Sequence, residues 1–228
     1  MPETQTLSLP ENASLFTRLS VARQCLKALR KDPTNPTYGQ VFNQSLNGNL
    51  YATLAQALWR SEEGRRLLTE RPSLQGKELD LAALERLPEG TLGHDLARYF
   101  QDNEISPFET TLELKTDVDY ISKRYRETHD LLHVLTGYGT DVVGEMELQA
   151  YVLGNLRLRT SALVLTNGTV HHFKEPQAGV GRSEYLQRVW AAFQRGRVSP
   201  RFLGFRFEEH WSTPVATLRA RLCAPAQA

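Results

Sequence analysis

At 228 residues the chain is long enough to bury one substantial hydrophobic core. Its apolar share of 40% and charged share of 23% are ordinary for a globular protein. A net charge of +1 argues against a broad nucleic-acid surface, which would need a basic excess.

Residues 1–13 are polar, hold two prolines and read as a flexible N-terminal segment. From Ser14 to Arg30, Leu15, Leu19, Ala22, Leu26 and Leu29 recur at helical spacing, with Ser14 as N-cap. Asp32-Pro33-Thr34-Asn35-Pro36 ends that helix. Val41, Phe42, Leu46, Leu50, Leu54 and Leu58 predict a second helix, with Gly48 as its weak point. Short helices follow over Glu62–Thr69 and Leu79–Leu87, stopped near Pro72 and Pro88. A turn through Gly90 and Gly93 leads into a helix carrying Leu96, Tyr99 and Phe100. Residues 103–116 have no clear period.

Thr116 or Asp117 can cap a long helix that runs to the break at Gly137 and Gly139. Asp141 can cap the next helix, expected to continue to about Leu165. Asn167-Gly168 reads as a turn, and Thr169–Gly181 as an irregular loop in which His171 and His172 are exposed. Ser183–Arg195 is helical, with a stripe of Tyr185, Leu186, Val189, Trp190 and Phe193. Phe202–Cys223 is helical in its later part, with Pro214 near a helix start. The expected fold is mainly α: a single-domain helical bundle over residues 14–223, followed by a flexible tail at 224–228.

Cys25 and Cys223 are far apart and in no ligand spacing, which points to a reducing compartment rather than a disulfide framework. No run approaches the roughly 18 apolar residues of a membrane span. Met1-Pro2-Glu3-Thr4 has neither the basic and apolar regions of a signal peptide nor the pattern of a mitochondrial presequence. The expected location is cytoplasmic or peripheral on the cytoplasmic face of a membrane.

The chemistry concentrates in Tyr125-Arg126-Glu127-Thr128-His129-Asp130-Leu131-Leu132-His133, followed by Glu145. Each helical residue advances about 100°, so His133 lies about 40° from His129 and Asp130 about 100°. The i, i+4 histidine pair is how one helix offers two imidazoles to one ion. Asp130 can be a ligand or orient one. Gly137 ends the first helix four residues after His133, and Glu145 follows the Asp141 cap by the same count. If the two consecutive helices are antiparallel, Glu145 faces His133 and the metal site lies between them. Glu147 points about 200° away and should not take part. Two imidazoles with carboxylates suit zinc, iron or manganese better than magnesium, and the lack of thiolates favours an open site. The competing reading is a buried histidine–carboxylate cluster without metal. The zincin signature fits poorly, because Asp130 stands where a glutamate is needed. A His-Asp phosphohydrolase would also need groups such as His94 and Asp141, and Asp141 is better explained as a cap.

His129-Asp130-x-x-His133, eleven residues, then Glu145 resembles the hallmark of the fourth coenzyme Q (ubiquinone) biosynthesis protein family. The flanking Arg124-Tyr125-Arg126 and Val134-Leu135-Thr136-Gly137 are similar, as is Leu87-Pro88-x-Gly90-Thr91-Leu92-Gly93. So is the C-terminal pattern Gly204, Trp211, Pro214, Leu218 and Arg219, and the likeness covers roughly residues 15–223. The resemblance implies an all-α fold and a divalent metal, usually zinc, held by His129, Asp130, His133 and Glu145. It implies action on a polyprenylated hydroxybenzoate with loss of the ring carboxylate, either simple or coupled to hydroxylation. Asp130 and Glu145 are then the carboxylates expected to act in the reaction. It also implies a peripheral membrane protein that works with other quinone biosynthesis proteins and an isoprenoid lipid, as an expected homo-oligomer without nucleic acid. The absent presequence suggests a bacterial member.

Tyr125 and Arg126 lie about one turn before His129, on the ligand side of a continuous helix. They are the expected substrate-binding residues, with Arg126 on a carboxylate or phosphate. A salt bridge from Arg126 to Glu127 or Glu109 is the plainer alternative. Met146, Leu148, Val152, Leu156, Ala162 and Leu163 can line a prenyl groove, with room at Ala150 and Gly154, or can simply pack the core. Arg157 and Arg159 read as solvated, and Trp59, Trp190 and Trp211 as core or membrane-edge aromatics. The alternatives to a metal-dependent enzyme are a non-catalytic lipid-binding scaffold and an unrelated metallohydrolase.

Overall fold

Helix boundaries follow local capping chemistry. In chain order, the computed structural model has α1 (Leu15–Leu29), α2 (Pro36–Leu58), α3 (Glu62–Glu70), α4 (Leu81–Glu85), α5 (Leu92–Asp102) and α6 (Asp117–Glu127). These are followed by α7 (His129–Thr136), α8 (Val142–Leu156), α9 (Arg159–Lys174), α10 (Arg182–Val198) and α11 (Val215–Leu222). The structure describes residues 9, 13–29, 31–32, 36–75, 79–107 and 113–224. Among them the fold is mainly α, with no strand beyond an isolated bridge between Thr91 and Pro214. The ends expected to be flexible lie mostly outside the described residues. No helix among the described residues is long and apolar enough to cross a membrane.

The caps expected from sequence are in place. Ser14 Oγ accepts the Thr17 amide at 3.2 Å. Thr116 Oγ1 accepts the Asp119 amide at 3.2 Å, while the Asp119 carboxylate accepts the Thr116 amide at 2.9 Å. Asp141 accepts the amides of Val143 and Gly144 at the start of α8. Gly137 ends α7 with φ of 80°, a left-handed conformation that an L side chain would strain.

The chain divides into two units, Met1–Arg71 with Phe108–Arg126, and Pro72–Pro107 with Glu127–Ala228. In the first, α1 packs on α2 through Val21, Cys25 and Val41. The stripe expected on α1 points elsewhere. Ala22 is buried, but Leu15, Leu19 and Leu26 are exposed, as is Phe16 at 85%. The burying face is rotated onto Val21, Ala22 and Cys25.

In the second unit, α8 lies against α9 and α10. A Cβ on Gly196 would stand 2.0 Å from the Tyr151 carbonyl oxygen of α8, and one on Gly154 would stand 2.3 Å from that of Phe193 on α10. The two glycines therefore let backbone meet backbone, and Asn155 Nδ2 fastens the contact by donating to the carbonyls of Gly196, Ser199 and Pro200. The room expected at Gly154 for a lipid tail is filled by α10, and Leu148, Ala150, Val152 and Leu156 are buried core. Gly196→Ala should destabilise the protein by about 2 kcal/mol through overpacking, read as a lower urea midpoint at unchanged slope.

Other expectations are corrected. The long motif-bearing helix is interrupted at Thr128, which separates α6 from α7. The helix expected to reach Leu165 ends at Leu156, where Arg157 takes φ of 60°. Asn167-Gly168 is not a turn but the middle of α9, because Asn167 Nδ2 donates back to the Leu163 carbonyl at 3.0 Å within the helix. Met146 sulfur occupies the place that a side chain on residue 168 would need. α9 then carries His172 inward, buried and stacked 4.2 Å from Tyr185, rather than exposed in a loop. On α10, Tyr185 is buried, but Leu186 and Trp190 of the expected stripe are exposed.

Candidate metal centre

α7 presents His129 and His133 on one side, their rings 5.0 Å apart and nearly perpendicular. α8 sends Glu145 to both. Its Oε1 lies 3.1 Å from His133 Nε2 and its Oε2 3.6 Å from His129 Nε2. The three residues offer one donor atom each, all within 4.8 Å of one another. His133 is buried, whereas His129 and Glu145 are partly exposed, so the cluster opens to solvent on one side.

The surroundings fix the protonation pattern. His133 Nδ1 lies 3.0 Å from the Tyr138 carbonyl, which can only accept. Nδ1 therefore carries the hydrogen, and neutral His133 turns the Nε2 lone pair toward Glu145. That buried nitrogen has no hydrogen-bond partner. Its 3.1 Å approach to Glu145 is an ion-pair separation. A lone pair facing a carboxylate is stable only with a positive charge between or upon them. Burial opposes charge on His133, but Glu145 and the Tyr138 carbonyl outweigh it and raise its pKa. Burial likewise pushes Glu145 up, but the two imidazoles hold its pKa down at about 2. A divalent ion answers the same electrostatic demand as a proton. Two nitrogens and a carboxylate oxygen are a fitting donor set for zinc, and ligands sharing an ion at about 2 Å stand roughly 3.3 Å apart.

Asp130 is not one of the three gathered donors. Its carboxylate is an electrostatic neighbour of the Tyr99 phenol of α5. Burial first, then the charges of Asp130 and Glu145, raise the Tyr99 pKa, so this phenol stays protonated. Tyr99 also stacks on His133 at 5.5 Å. Sequence reading missed this residue, which lies 30 positions before the motif. Tyr125 and Arg126 belong to the first unit. Tyr125 is buried, and the Arg126 guanidinium lies beside Gly39. Glu147 takes no part, being held by Arg188 at 2.7 and 3.1 Å. His94 pairs with its neighbour Asp95, and Asp141 is engaged as a cap.

Behind the cluster, two arginines hold the C-terminal end of α7. Arg219 donates to the Leu135 and Val134 carbonyls at 2.7 and 3.1 Å. Arg195, buried in α10, donates to the Thr136 carbonyl at 3.0 Å and to that of Ala224 at 2.8 Å. Its guanidinium lies 5.5 Å from the Tyr138 ring. The cations face the negative end of the helix dipole, and they steady the loop whose carbonyl orients His133.

Residues 11–225 match the protein family described as coenzyme Q (ubiquinone) biosynthesis protein Coq4. The rat mitochondrial ubiquinone biosynthesis protein COQ4 homolog is 33% identical over 172 residues, 74% of this chain and 63% of the rat protein. The human homolog is 30% identical over 185 residues, 80% of this chain and 68% of its own length. The chain thus spans just under two thirds of the rat relative. A crystal structure from Nostoc punctiforme, of a protein assigned to ubiquinone biosynthesis, superimposes with a TM-score of 0.70 at 25% identity. The match covers 90% of this chain and 95% of the Nostoc chain.

Proposed function

Because the chain belongs to the coenzyme Q (ubiquinone) biosynthesis protein Coq4 family, we propose that it is a metal-dependent decarboxylase acting on a polyprenylated hydroxybenzoate. The observation that carries the metal is the gathering of His129, His133 and Glu145, whose donor atoms lie within 4.8 Å of one another. His129, His133 and Glu145 would hold the ion, with Asp130 as a further ligand or a group that orients one. When bound, the ion supplies a Lewis acid that polarises a substrate oxygen.

The protein's own groups then divide the remaining work. Tyr138 fixes the His133 tautomer through its carbonyl. Burial, with the charges of Asp130 and Glu145, keeps the proton on Tyr99. Of the two proposed catalytic carboxylates, Asp130 carries protons and Glu145 acts through the ion it would hold. In simple decarboxylation the ring carbon loses carbon dioxide and takes up a proton. In the oxidative form the carbon loses carbon dioxide and takes its hydroxyl from water, while dioxygen accepts the two electrons and leaves as hydrogen peroxide. Tyr125 and Arg126, both in the first unit, are proposed to bind an anionic group. A membrane surface, an isoprenoid lipid, other quinone biosynthesis proteins and a second copy of the chain are the partners in this reading.

A scaffold role is the second reading, favoured by α1. Its exposed Leu15, Phe16 and Leu19 lie on a helix with Arg18, Arg23 and Lys27 and no acidic residue. Incubating metal-loaded protein with a prenylated hydroxybenzoate, with and without oxygen, decides between them. Carbon dioxide release that Glu145→Gln abolishes supports the enzyme. No release from protein with full metal content, together with retained lipid binding, rejects it in favour of the scaffold.

A further inference from the structure

α2 turns a polar stripe inward in the first unit. Gln40, Asn43, Gln44, Asn47 and Tyr51 fall within an arc of about 100°, and all are buried. Most are matched. Asn47 Nδ2 donates to Asn43 Oδ1 at 2.9 Å, and the Tyr51 hydroxyl donates to the same oxygen. Gln44 Nε2 donates to Asp119 Oδ1 of α6 at 2.7 Å. Gln40 is the exception. It is 1% exposed, and neither its Nε2 nor its Oε1 has a partner.

α6 carries the matching anomaly. Ser122 is fully buried, and its hydroxyl has no partner. Asp119, Ser122 and Arg126 share one face of α6, being three and seven residues apart. That face meets α2 twice: Asp119 bonds Gln44, and the Arg126 guanidinium lies 3.6–3.9 Å from where a Gly39 Cβ would stand. Gln40 follows Gly39 and precedes Gln44 by one turn. Ser122 lies between Asp119 and Arg126. The carboxamide and the hydroxyl therefore stand between the two links, on surfaces turned toward each other.

Buried polar atoms are almost always paired, and three unpaired atoms at one helix contact imply an occupant. We propose that Gln40 and Ser122, beside Arg126, bind an oxyanion that also carries a hydroxyl, the chemistry of a hydroxylated carboxylate or of hydrogen phosphate. Ser122 and Gln40 Nε2 donate to the anionic oxygens, Arg126 supplies the charge, and Gln40 Oε1 accepts from the hydroxyl. A metal cation would be repelled by Arg126, and a hydrocarbon would leave all three atoms unmatched. The site rests on the reading of Arg126 as the anion-binding residue above, but not on the metal.

The test is calorimetric titration of the full chain with inorganic phosphate and, separately, with 4-hydroxybenzoate, before and after chelation. Binding should survive chelation. Gln40→Leu and Ser122→Ala should each weaken it roughly tenfold, the loss of one hydrogen bond to a charged group, while Tm stays level or rises. Whichever probe shows the loss identifies a free phosphate or an aromatic acid as the source. Unchanged affinity with a lowered Tm would assign the atoms to an ordered water and overturn the site. So would failure of both probes to bind the wild-type chain. Binding abolished by chelation would move the anion to the metal cluster, overturning this site and leaving the proposed function intact. Lack of turnover alone would reject the proposed function and leave the Gln40 and Ser122 effects standing.

Discussion

Replacing His133 with alanine is expected to strip the protein of its divalent ion, lowering affinity about a hundredfold or more. His133 is the buried member of the cluster, and water cannot easily take over the position of its Nε2. Loss of an orienting group around a metal already costs roughly 10–100-fold, and loss of a ligand should exceed that. Metal content after gel filtration measures the effect. A second readout comes from linkage, because an ion that binds only the folded chain stabilises it. Chelation should therefore lower the wild-type Tm and leave that of His133→Ala unmoved. Affinity should also weaken as pH falls through the raised pKa of His133, since the proton and the ion compete for one nitrogen. Wild-type protein that retains no ion, with a Tm indifferent to chelation, would refute the centre.

Arg195→Met should be the most damaging substitution away from the cluster. The side chain is buried and donates to the carbonyls of Thr136 and Ala224. Methionine fills the volume but leaves those acceptors unmatched and removes the cation from the end of α7. A loss of about 3 kcal/mol is expected, or a fall in Tm of roughly 6–12 °C for a chain of this size. The second consequence separates positioning from mere stability. The Tyr138 loop loses the guanidinium against its ring, so the carbonyl that sets His133 is less well placed. Metal affinity at a temperature where the variant is folded should drop about 10–100-fold. Arg197→Met, on the exposed side of the same helix, should change neither quantity appreciably. A destabilised Arg195→Met variant with wild-type metal affinity would show that the arginine only packs.

The cluster was legible because its information is local. His129, His133 and Glu145 are fixed by helical angle, a glycine stop and an aspartate cap within 17 consecutive residues, and all three signals act through the nearest turns. What surrounds it was not legible. Tyr99, Arg195 and Arg219 reach the motif from other helices, and no spacing rule marks them. Asp130 illustrates the difference. Sequence placed it at the edge of the ligand arc, whereas its neighbour Tyr99 could be found only in three dimensions. The helical stripes failed for a related reason. Periodicity shows that a face is apolar, not which neighbour covers it, so Leu15 and Leu19 of α1 and Trp190 of α10 remained uncovered. In α9 a local rule lost to another local interaction. The Asn167-Gly168 pair looks like a turn, but the asparagine bonds backward along the helix and the glycine makes room for Met146.

The arginine clasp on α7 also sets an order of events. Arg195 meets Thr136 across 59 positions of chain, and Arg219 meets Leu135 across 84. Contacts so distant in sequence form late, because a long loop must close before they return any free energy. A growing polypeptide carries the two histidines and Glu145 well before it carries the groups that hold them in register. The nascent motif is then a loose, low-affinity chelator, and tight metal uptake waits for the last helices to dock. Metal loading should consequently track the completion of folding rather than the emergence of the ligands from the ribosome.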